Sequence, residues 1–578
     1  MSANTSPYLF KPWLGHYGQT IPVKLPPPTA RSLAEMASLA GHRFAKQTAF
    51  TCVMPNGMYG SLRYDELERM SDAFAHYLRQ VCKLEQGDRV AVQMPNCLSY
   101  PVVVLGILKA GCVVVNTNPL YTSGEMAHQF KDSGAKVLVI VDLFADKLEA
   151  ILGQTQIQHV VMTRVPEFFP PVVQPIVYGV MKYWSRLIPA HGLQITRLPE
   201  ALKQGTQADD RDAKAYWQDL NHDSLALLQY TGGTTGVAKG AMLTHGNLLW
   251  NVQQMLGMCN SHIEEGKEVV LTALPLYHIF AFTVNFLSMY RMGAMNVLVP
   301  SPRPIQNLQR AIENYKITWI TGVNTLYNAL LGEEWFTAFP PKHLKAAGGG
   351  GAAMHHAVVE RFEKVTGAPL VEGYGLTESS PVACFQPLST GRRVDTIGIP
   401  VPETEIRLVD DNGVDVPIGQ PGELLIKGPQ VMQGYWRQPE ATADVIKNGW
   451  LCTGDVAVMS DDGTFKIVDR KKDMILVSGF NVYPNEIEDA LTKHDGVMEA
   501  AVIGVPDAKT GEAVRAYVVK RDPTVSTEAL LQHCRSLLTA YKVPVRIDFR
   551  EELPKTPIGK ILRKDLRAEV LADIQKKG

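Results

Sequence analysis

Short apolar strand candidates alternate with predicted helices through much of the chain, and this alternation constrains the fold more than any other feature. Residues 90–94, 113–115 and 137–141 are strand candidates, with helices predicted over 98–109 and 124–133 between them. Strands that are apolar throughout are buried on both faces, which is typical of a parallel sheet covered by helices. The pattern therefore predicts an α/β fold in which parallel βα subdomains build a large N-terminal domain.

The last third of the chain has a different pattern. Strands predicted at 405–409 and 423–427 are joined by Gly, Pro and Asp turns, which indicates a small β-barrel-like subdomain. A charged run at 469–473 then precedes a mixture of strands and helices, which predicts a small, mobile α+β C-terminal domain with Asp469 at the hinge. The alternative for the charged run is a solvated surface turn. The expected domains are residues 1–468 and 469–578.

Composition excludes several classes of protein. The chain has 578 residues, enough for several subdomains, and its net charge of −1 gives no general attraction for nucleic acid. Its eight cysteines form no CxxC pair, which argues against a zinc site or a disulfide scaffold and favours a reducing cytoplasm. No apolar run is long enough to span a membrane, and the N-terminus lacks the pattern of a signal peptide.

A glycine- and threonine-rich segment at 230–240 is predicted to bind phosphate. It reads Tyr-Thr-Gly-Gly-Thr-Thr-Gly-Val-Ala-Lys-Gly and lies between an apolar strand at 225–229 and a helix that Thr244 can cap. Glycines let the backbone approach a phosphate closely, hydroxyl and N–H groups can bind its oxygens, and Lys239 adds positive charge. The spacing differs from that of a Walker A loop, and a flexible surface loop is the alternative.

Other segments carry polar groups that suit a nucleotide and a metal ion. In the string Glu-Gly-Tyr-Gly-Leu-Thr-Glu, the ring of Tyr374 can stack on a base, and Glu378 offers a carboxylate, which Mg²⁺ prefers. Asp455 follows a turn and can accept hydrogen bonds from both hydroxyls of a ribose. His278 follows a predicted strand in an apolar setting, where core packing is the alternative role. Lys560 lies near the C-terminus, where a solvated lysine is the alternative.

These segments resemble, in the same order, the motifs of the adenylate-forming enzyme superfamily. The resemblance extends from Tyr230 to Lys560 and points to the bacterial long-chain fatty acyl-CoA synthetases, particularly over 448–472. Such enzymes bind Mg²⁺ and use ATP to convert a fatty acid to acyl-AMP and pyrophosphate, after which the thiol of CoA displaces AMP. Cys452 departs from the pattern, since relatives commonly have His at this position, and it leaves the nearby acyl-side contacts open.

The resemblance also implies roles for individual residues. Lys560 would clamp the attacking carboxylate and the α-phosphate, and the other implied catalytic residues are His278, Thr377 and Glu378. The implied ATP-binding residues are Tyr230, Thr231, Gly232, Gly233, Thr234, Thr235, Gly236, Lys239, Gly350, Gly351, Tyr374, Gly375, Thr377, Asp455 and Arg470. The implied metal ligands are Thr235 and Glu378, the CoA-binding residues are Gly479 and Asn481, and the acyl-pocket residues are Phe280, Phe282, Gly351 and Ala352.

An amphipathic helix predicted within 166–189 is a candidate for membrane contact. Its apolar face comprises Ile176, Val177, Val180, Met181, Trp184, Leu187 and Ile188, with Lys182 and Arg186 nearby. Such a face can lie in a membrane interface, and packing against the core explains it at least as well. We expect a cytoplasmic protein, with peripheral contact to the inner face of the cytoplasmic membrane through residues 176–188 as a hypothesis. Fatty acid, ATP and CoA are the expected partners, nucleic acid is not, and a homodimer is left open.

Other functions share parts of this pattern. A ligase for medium-chain or aryl carboxylic acids, such as coumarate, would use the same mechanism, and the motifs do not report chain length. A luciferase-like oxygenase shares the adenylation step and would be recognised by light emission. A peptide-synthetase module is expected to continue into a carrier domain, whereas this sequence ends at Gly578. A nucleotide-binding protein without catalysis is disfavoured because five residues occur together, namely Lys239, Glu378, Asp455, Arg470 and Lys560.

Overall fold

The computed structural model describes residues 6–231, 238–388, 393–478, 480–507, 509–556 and 559–577, and the features of the fold concern these ranges. Some predicted site residues lie outside them, namely Gly232, Gly233, Thr234, Thr235, Gly236 and Gly479. In the described part of the chain, no helix has both the length and the apolar character needed to cross a lipid bilayer.

An eight-stranded sheet contains the strand that leads into the predicted phosphate loop. Its central strands are parallel and almost entirely buried, as their continuous apolar sequences predict. The strand after the loop, Lys239–Thr244, runs antiparallel to Leu225–Thr231, a pairing that is not evident from the sequence. In spatial order the described strands are Gly434–Tyr435, Lys239–Thr244, Leu225–Thr231, Val113–Asn116, Arg89–Gln93, Val137–Val141, His159–Thr163 and Thr196–Arg197.

A nine-stranded sheet forms the second layer of the large domain. Its central strands are parallel, and the pairs at its two edges are antiparallel. Helices cover the buried strands, which is the arrangement that the βα alternation predicts. In spatial order the described strands are Ile399–Pro400, Val382–Phe385, Leu370–Gly375, Ala346–Gly350, Trp319–Gly322, Val269–Thr272, Met295–Leu298, Thr48–Val53 and Tyr59–Arg63.

The predicted β subdomain is a five-stranded antiparallel sheet. Its strand Trp450–Met459 pairs with Phe465–Arg470, so that Asp455 and Arg470 are register partners. The described strands are Glu405–Val409, Gly422–Lys427, Trp450–Met459, Ile446–Lys447 and Phe465–Arg470.

The C-terminal segment forms its own sheet with helices, as an α+β domain predicts. Its described strands are Ile475–Val477, Phe480–Val482, Val497–Asp507, Gly511–Lys520 and Arg546–Arg550. Its buried apolar residues form clusters separate from those of the large domain. The domain boundary at 468/469 stays a prediction.

The α-helices lie mainly between the strands. Thr244 caps one of them as predicted: its hydroxyl accepts a hydrogen bond from the Asn247 N–H at 3.0 Å. The described α-helices are Leu33–Arg43, Tyr64–His76, Ser99–Lys109, Ser123–Ser133, Ala145–Glu149, Val173–Gly179, Leu198–Ala208, Lys214–Trp217, His245–Met258, Met289–Arg291, Gln309–Asn314, Asn324–Leu331, Glu334–Ala338, His356–Thr366, Pro439–Val445, Pro484–Thr492, Thr527–Leu537 and Arg563–Lys577. Wider, π-type turns form the segments Tyr77–Val81, Val180–Trp184 and Ala281–Ser288.

Candidate active site

Most of the predicted site residues that the structure describes line one cavity of about 1250 Å³. The strands Leu225–Thr231, Ala346–Gly350 and Leu370–Gly375 all end at it, which follows the rule that ligands of α/β sheets bind at the carboxyl ends of strands. Predicted residues that line the cavity are Tyr230, Thr231, Lys239, His278, Phe280, Gly350, Gly351, Ala352, Tyr374, Gly375, Thr377, Glu378, Asp455, Asp469, Arg470 and Lys560.

Asp455 is buried and held from two sides. The Tyr374 hydroxyl donates a hydrogen bond to Asp455 Oδ2 at 2.7 Å, and Arg470 Nε lies 3.2 Å from Asp455 Oδ1. Arg470 reaches the carboxylate because the two residues face each other across adjacent antiparallel strands. The carboxylate is thereby fixed beside the aromatic ring, and burial and the charge of Asp455 raise the pKa of Tyr374, so its hydroxyl stays a donor.

Tyr230 has a similar anchor at the start of the predicted phosphate loop. Its hydroxyl donates a hydrogen bond to Asp132 Oδ2 at 2.5 Å. Burial, followed by that hydrogen bond, raises the pKa of Tyr230. The ring is therefore held in place where the strand Leu225–Thr231 reaches the cavity.

Glu378 is paired with a tyrosine that also contacts a lysine. The Tyr435 hydroxyl donates to Glu378 Oε1 at 2.7 Å, and Lys239 Nζ lies 5.1 Å from the centre of the Tyr435 ring. Burial raises the pKa of Glu378, and the hydrogen bond from Tyr435 opposes that rise. In the described ranges, no group of three or more His, Cys, Asp or Glu side chains is arranged to hold a metal ion. Glu378 could hold a magnesium ion together with phosphate and water oxygens, the ligands that suit this ion.

Lys560 reaches the cavity from the C-terminal domain. The backbone N–H of Lys560 donates to Thr556 Oγ1 at 3.0 Å, and the backbone N–H of Thr556 donates to the Lys560 carbonyl at 2.7 Å. The chain here is seated against the large domain, since a Cβ atom added at Gly559 would lie 2.6 Å from Thr325 Oγ1. Burial, followed by the positive charge of Arg470, lowers the pKa of Lys560 to about 8.

His278 is held as a neutral imidazole. Burial, followed by the nearby charge of Lys560, lowers the pKa of His278 to about 4. Its Nδ1 accepts a hydrogen bond from the Phe280 N–H at 3.3 Å, so the neutral ring carries its proton on Nε2. The imidazole can therefore donate a hydrogen bond to an anionic oxygen without adding a charge of its own.

Asp469 is buried, in contrast to the solvated turn that was the alternative. Its Oδ1 accepts from the Arg470 N–H at 2.7 Å and lies 3.3 Å from Arg563 Nη1, and its Oδ2 accepts from the Asn485 N–H at 2.8 Å. Burial raises the pKa of Asp469 to about 6, although the charge of Arg563 opposes that rise. The expected hinge residue is thus tied to the C-terminal domain by two contacts.

Arg563 lies at the centre of a cluster of charged side chains that includes Asp469. Its Nη2 lies 2.7 Å from Glu488 Oε2, and its Nη1 lies 3.5 Å from Asp473 Oδ2. Arg567 adds a contact of 2.8 Å to Asp473 Oδ1. Of the carboxylates in this cluster, Asp469 alone lies on the strand Phe465–Arg470, which belongs to the five-stranded antiparallel sheet. Arg563 follows Lys560 by three residues, so the cluster links the lysine-bearing segment to the hinge.

The apolar part of the cavity differs from the prediction at one residue. Phe280 lines the cavity beside Gly350, where an added Cβ atom would lie 3.3 Å from the Phe280 ring. Phe282 is fully buried, its ring centre lies 5.7 Å from that of Phe286, and it is absent from the described residues that line the cavity. Residues two positions apart on a helical segment point to different faces, which places Phe282 in the core.

Asn481 lies outside the cavity. It is exposed on the strand Phe480–Val482 and does not belong to the described residues that line the cavity. The arrangement of the two domains therefore places Lys560 at the site and the predicted CoA-binding residue away from it.

Tyr435, Arg563 and Glu372 belong to the site but are not evident from the sequence. Tyr435 lies between a glycine and a tryptophan, which is only a weak sequence signal for a site residue. Arg563 follows Lys560 at helical spacing, and nothing in the neighbouring sequence indicates the carboxylates that it contacts. Glu372 lines the cavity, and burial raises the pKa of its carboxyl to about 8. One of its oxygens accepts the Met354 N–H at 3.4 Å. Its position at the start of a recognisable string gives no sign that its carboxyl would be neutral at pH 7.

Comparison with protein families identifies the class to which this fold and site belong. The protein-family model described as AMP-binding enzyme matches residues 39–436, and the one described as AMP-binding enzyme C-terminal domain matches residues 486–560. The chain belongs to the AMP-binding enzyme family.

Individual relatives agree with this class. A long-chain-fatty-acid–CoA ligase from Escherichia coli O6:H1 is 48% identical over 570 residues, which cover 98% of this chain and 100% of that protein. A feruloyl-CoA synthase from an Amycolatopsis species is 34% identical over 509 residues, 88% of this chain and 94% of that protein. The crystal structure of ATP-bound MatB from Rhodopseudomonas palustris has a TM-score of 0.78 and 27% identity, and the match covers 93% of this chain and 98% of that one. The predicted resemblance and the predicted fold class are thereby confirmed.

Proposed function

We propose that the protein is an ATP-dependent, AMP-forming ligase that joins long-chain fatty acids to CoA. One observation carries the proposal: a single cavity joins the charged groups around Lys560 and Asp455 to an apolar end lined by Met255, Cys259 and Met289. The charged end suits a polyphosphate and a carboxylate, and the apolar end suits a hydrocarbon chain. The name of the 48% identical relative supports the same substrate class.

In the first step, an oxygen of the fatty carboxylate attacks the α-phosphorus of ATP. The bond from that phosphorus to the bridging oxygen breaks, which gives acyl-AMP and pyrophosphate. Both reactants are anions, so catalysis depends on positioning and on charge neutralisation. Lys560 and Lys239 supply positive charge, and the Nε2–H of His278 supplies a neutral donor. A preorganised donor of this kind contributes about a hundred- to a thousandfold in rate.

The nucleotide is positioned by a second group of residues. A base that stacks on Tyr374 brings its ribose to Asp455, because the tyrosine hydroxyl and the carboxylate are hydrogen-bonded at 2.7 Å. Arg470 lies beside the other carboxylate oxygen of Asp455. Thr377 follows the strand Leu370–Gly375, which carries Tyr374, and its hydroxyl would bind the α-phosphate. The loop residues between Thr231 and Lys239 would enclose the remaining phosphates.

Magnesium is the proposed cofactor, and Glu378 would hold it with phosphate oxygens. The fit rests on the partly buried carboxylate of Glu378, which lines the cavity and has one oxygen anchored by the Tyr435 hydroxyl. When bound, the ion would offset negative charge on the phosphates. The chain's own part is to present this carboxylate in a fixed position next to Thr377.

In the second step, the sulfur of CoA bonds to the acyl carbon, the bond to the AMP oxygen breaks, and the thiol proton is released. The C-terminal domain would rotate about Asp469 between the steps. Lys560 occupies the cavity while Asn481 is exposed, which supports an arrangement suited to the first step. Rotation would withdraw Lys560 and bring Asn481 and the neighbouring Gly479 toward the thiol.

The proposal is tested by CoA- and ATP-dependent AMP release with acids from acetate to oleate. A maximum at long chains is the expected result, and no AMP release with any acid would refute the ligase function. A ligase for aryl acids is the second candidate, which the relative named feruloyl-CoA synthase favours. Cinnamate is therefore included, and a maximum at cinnamate would keep the mechanism and reject the long-chain assignment.

We further propose that the segment 172–187 contacts a membrane surface. Val177 and Met181 are buried in the helix Val173–Gly179 and the π-type segment Val180–Trp184. A second row of apolar side chains on this segment is exposed to solvent. In this row Trp184 is 88% exposed, Tyr183 75% and Val172 73%, and the row continues through Ile176, Val180 and Leu187. A contiguous exposed apolar surface of this kind needs a partner.

An anionic lipid surface is the partner that fits this row. Lys182 and Arg186 are exposed beside it, so apolar insertion and attraction to anionic headgroups would act together. Trp and Tyr are also the side chains enriched at membrane–water interfaces. The segment would therefore lie in the interface without spanning the bilayer, and would keep the enzyme near its lipid-soluble substrate.

Vesicle binding tests this contact. The full chain should bind vesicles of phosphatidylglycerol and phosphatidylcholine, and the Tyr183→Ser/Trp184→Ser/Leu187→Ser variant should bind at least about tenfold more weakly. Phe339→Ser is the matched control, since Phe339 is 78% exposed at a separate place and should not matter. Unchanged binding of the triple variant, or equal loss in the control, would reject the contact.

A further inference from the structure

A second cavity lies directly beyond the apolar end of the main one. It has a volume of about 320 Å³, and two of its lining residues, Leu256 and Ile263, also line the main cavity. Its other lining residues include Pro22, Leu25, Pro26, Gly257, Arg291 and Met292. The two cavities are therefore separated at this point by the side chains of Leu256 and Ile263.

Leu256 and Ile263 differ in burial from the neighbouring residues of the same wall. Met255 and Cys259, which line only the main cavity, are buried in the core. Leu256 and Ile263 are partly exposed, one near the C-terminal end of the helix His245–Met258 and the other in the loop that follows. Two partly exposed side chains can change rotamer at small cost, whereas a packed core wall cannot yield without loss of packing energy.

The outer wall of the second cavity is held firmly. The Gln253 side chain donates a hydrogen bond to the Pro26 carbonyl, and the Leu25 N–H donates to Glu403 Oε1 at 3.0 Å. A Cβ atom added at Gly257 would lie 3.4 Å from Leu25 Cδ2, so the segment 22–27 lies against the helix. The space is therefore built into the fold, with Leu, Pro and Met side chains inside and the exposed Arg291 at its rim.

We infer that the second cavity is a distal acyl subsite that receives the terminal carbons of a long fatty chain, with Leu256 and Ile263 as the specificity-determining residues at its entrance. The inference rests on the proposed function, since it assumes that the acyl chain occupies the apolar end of the main cavity. A short chain would end before Leu256, whereas a long chain would displace this side chain and continue into the distal subsite. The prolines, Leu25 and Met292 offer apolar contacts to methylenes, and the lining also includes the polar side chains of Thr29, Gln253, Asn260 and Arg291.

Chain-length profiles of two variants of Leu256 test the subsite. Leu256→Trp closes the entrance, and Leu256→Ala widens it. Each methylene buried contributes about fourfold to binding, so excluding four methylenes should lower the palmitate-to-octanoate ratio of kcat/KM by about 200-fold in Leu256→Trp. Leu256→Ala should move the maximum to longer chains. Ser261→Trp is the matched control, because Ser261 is exposed nearby and lines neither cavity.

The outcomes separate this inference from the proposed function. Melting curves establish that each variant is folded. A wild-type profile that reaches long chains, together with unchanged ratios in both Leu256 variants, would overturn the distal subsite and leave the proposed function intact. The same ratio change in Ser261→Trp would also overturn it. A wild-type protein that activates no acid longer than octanoate would refute the proposed function and the subsite together.

Discussion

Replacing Asp469 by asparagine is expected to slow the first half-reaction more than the second. The carboxylate accepts hydrogen bonds from the backbone N–H groups of Arg470 and Asn485 and from the Arg563 guanidinium. The contacts to Asn485 and Arg563 join the expected hinge to the domain that carries Lys560. Asparagine removes the charge beside Arg563 and turns one of the two acceptor oxygens into a donor.

The size of the effect follows from the contact that is weakened. A hydrogen bond to a charged group contributes about 1.5–3 kcal/mol, and about 1.4 kcal/mol is a factor of ten in an equilibrium. The Asp469–Arg563 contact is long for a charged hydrogen bond, at 3.3 Å, which favours the lower part of that range. A loss of about 1.5–2 kcal/mol would reduce the equilibrium constant for placing Lys560 in the cavity by about 10- to 30-fold. The rate of acyl-AMP formation should fall by up to that factor, which is reached when the state with Lys560 in the cavity becomes the minor one.

Separate measurement of the half-reactions checks this reasoning. Pyrophosphate release reports the first step, and acyl-CoA formation from supplied palmitoyl-AMP reports the second, which should change far less. Asp473→Asn is the matched control, because Asp473 contacts Arg563 at 3.5 Å and Arg567 at 2.8 Å but follows the hinge and moves with them. It should lower stability without separating the two steps. Equal slowing of both steps by Asp469→Asn, or the same separation with Asp473→Asn, would refute the reasoning.

Other residues of the site give further tests. Lys560→Ala should slow acyl-AMP formation by about a hundred- to a thousandfold and spare thioester formation from supplied acyl-AMP, and equal loss in both assays would contradict its role. The pKa of Lys560 is about 8, and its protonated form is the one that would stabilise the anions. Wild-type kcat/KM for acyl-AMP formation should therefore fall as pH rises through this value. A flat pH–rate profile would contradict this. Tyr435→Phe removes the hydroxyl donor 2.7 Å from Glu378 Oε1 and should raise the pKa of Glu378 further. The Mg²⁺ concentration that gives the half-maximal rate should therefore rise most at low pH. An equal rise at all pH values would speak against this. Burial raises the pKa of Glu372 from 4.5 to about 8, so the native state binds this proton more tightly than the unfolded chain does. The free energy of unfolding of the wild type, relative to that of Glu372→Gln, should therefore fall from about pH 5 to about pH 8 in denaturant titrations. The same pH dependence of stability in both proteins would count against this.

Local sequence patterns were sufficient for the buried strands. The strands predicted at 137–141 and 405–409 have those bounds in the structure. The first is a continuous apolar run and the second begins with alternating polar and apolar residues, and both patterns favour a strand. Lys239–Thr244 was missed because its pairing with Leu225–Thr231 is a contact across the loop, and the loop motif directed attention to phosphate binding. Strand pairing of this kind depends on partners that a single segment does not reveal.

Contacts between distant segments explain most of what the sequence did not predict about the site. Tyr435 lies 57 positions from Glu378, and Arg563 lies 94 positions from Asp469, so neither partner is visible in a local motif. The helical period of residues 176–188 gave one apolar face, whereas the structure divides the apolar residues between the core and the surface. Periodicity finds apolar residues but cannot tell which of two adjacent rows the rest of the fold will cover.

The division of the site between two domains has a consequence for the free enzyme. Asp455 and Glu378 come from the large domain and Lys560 from the C-terminal domain, with the short segment 469–473 between them. A nucleotide that contacts all three residues would hold the two domains together across that junction. A ligand at a hundred times its dissociation constant stabilises the state that binds it by about 2.7 kcal/mol. ATP supply would therefore set how often the junction opens, and with it the exposure of that backbone to cellular proteases.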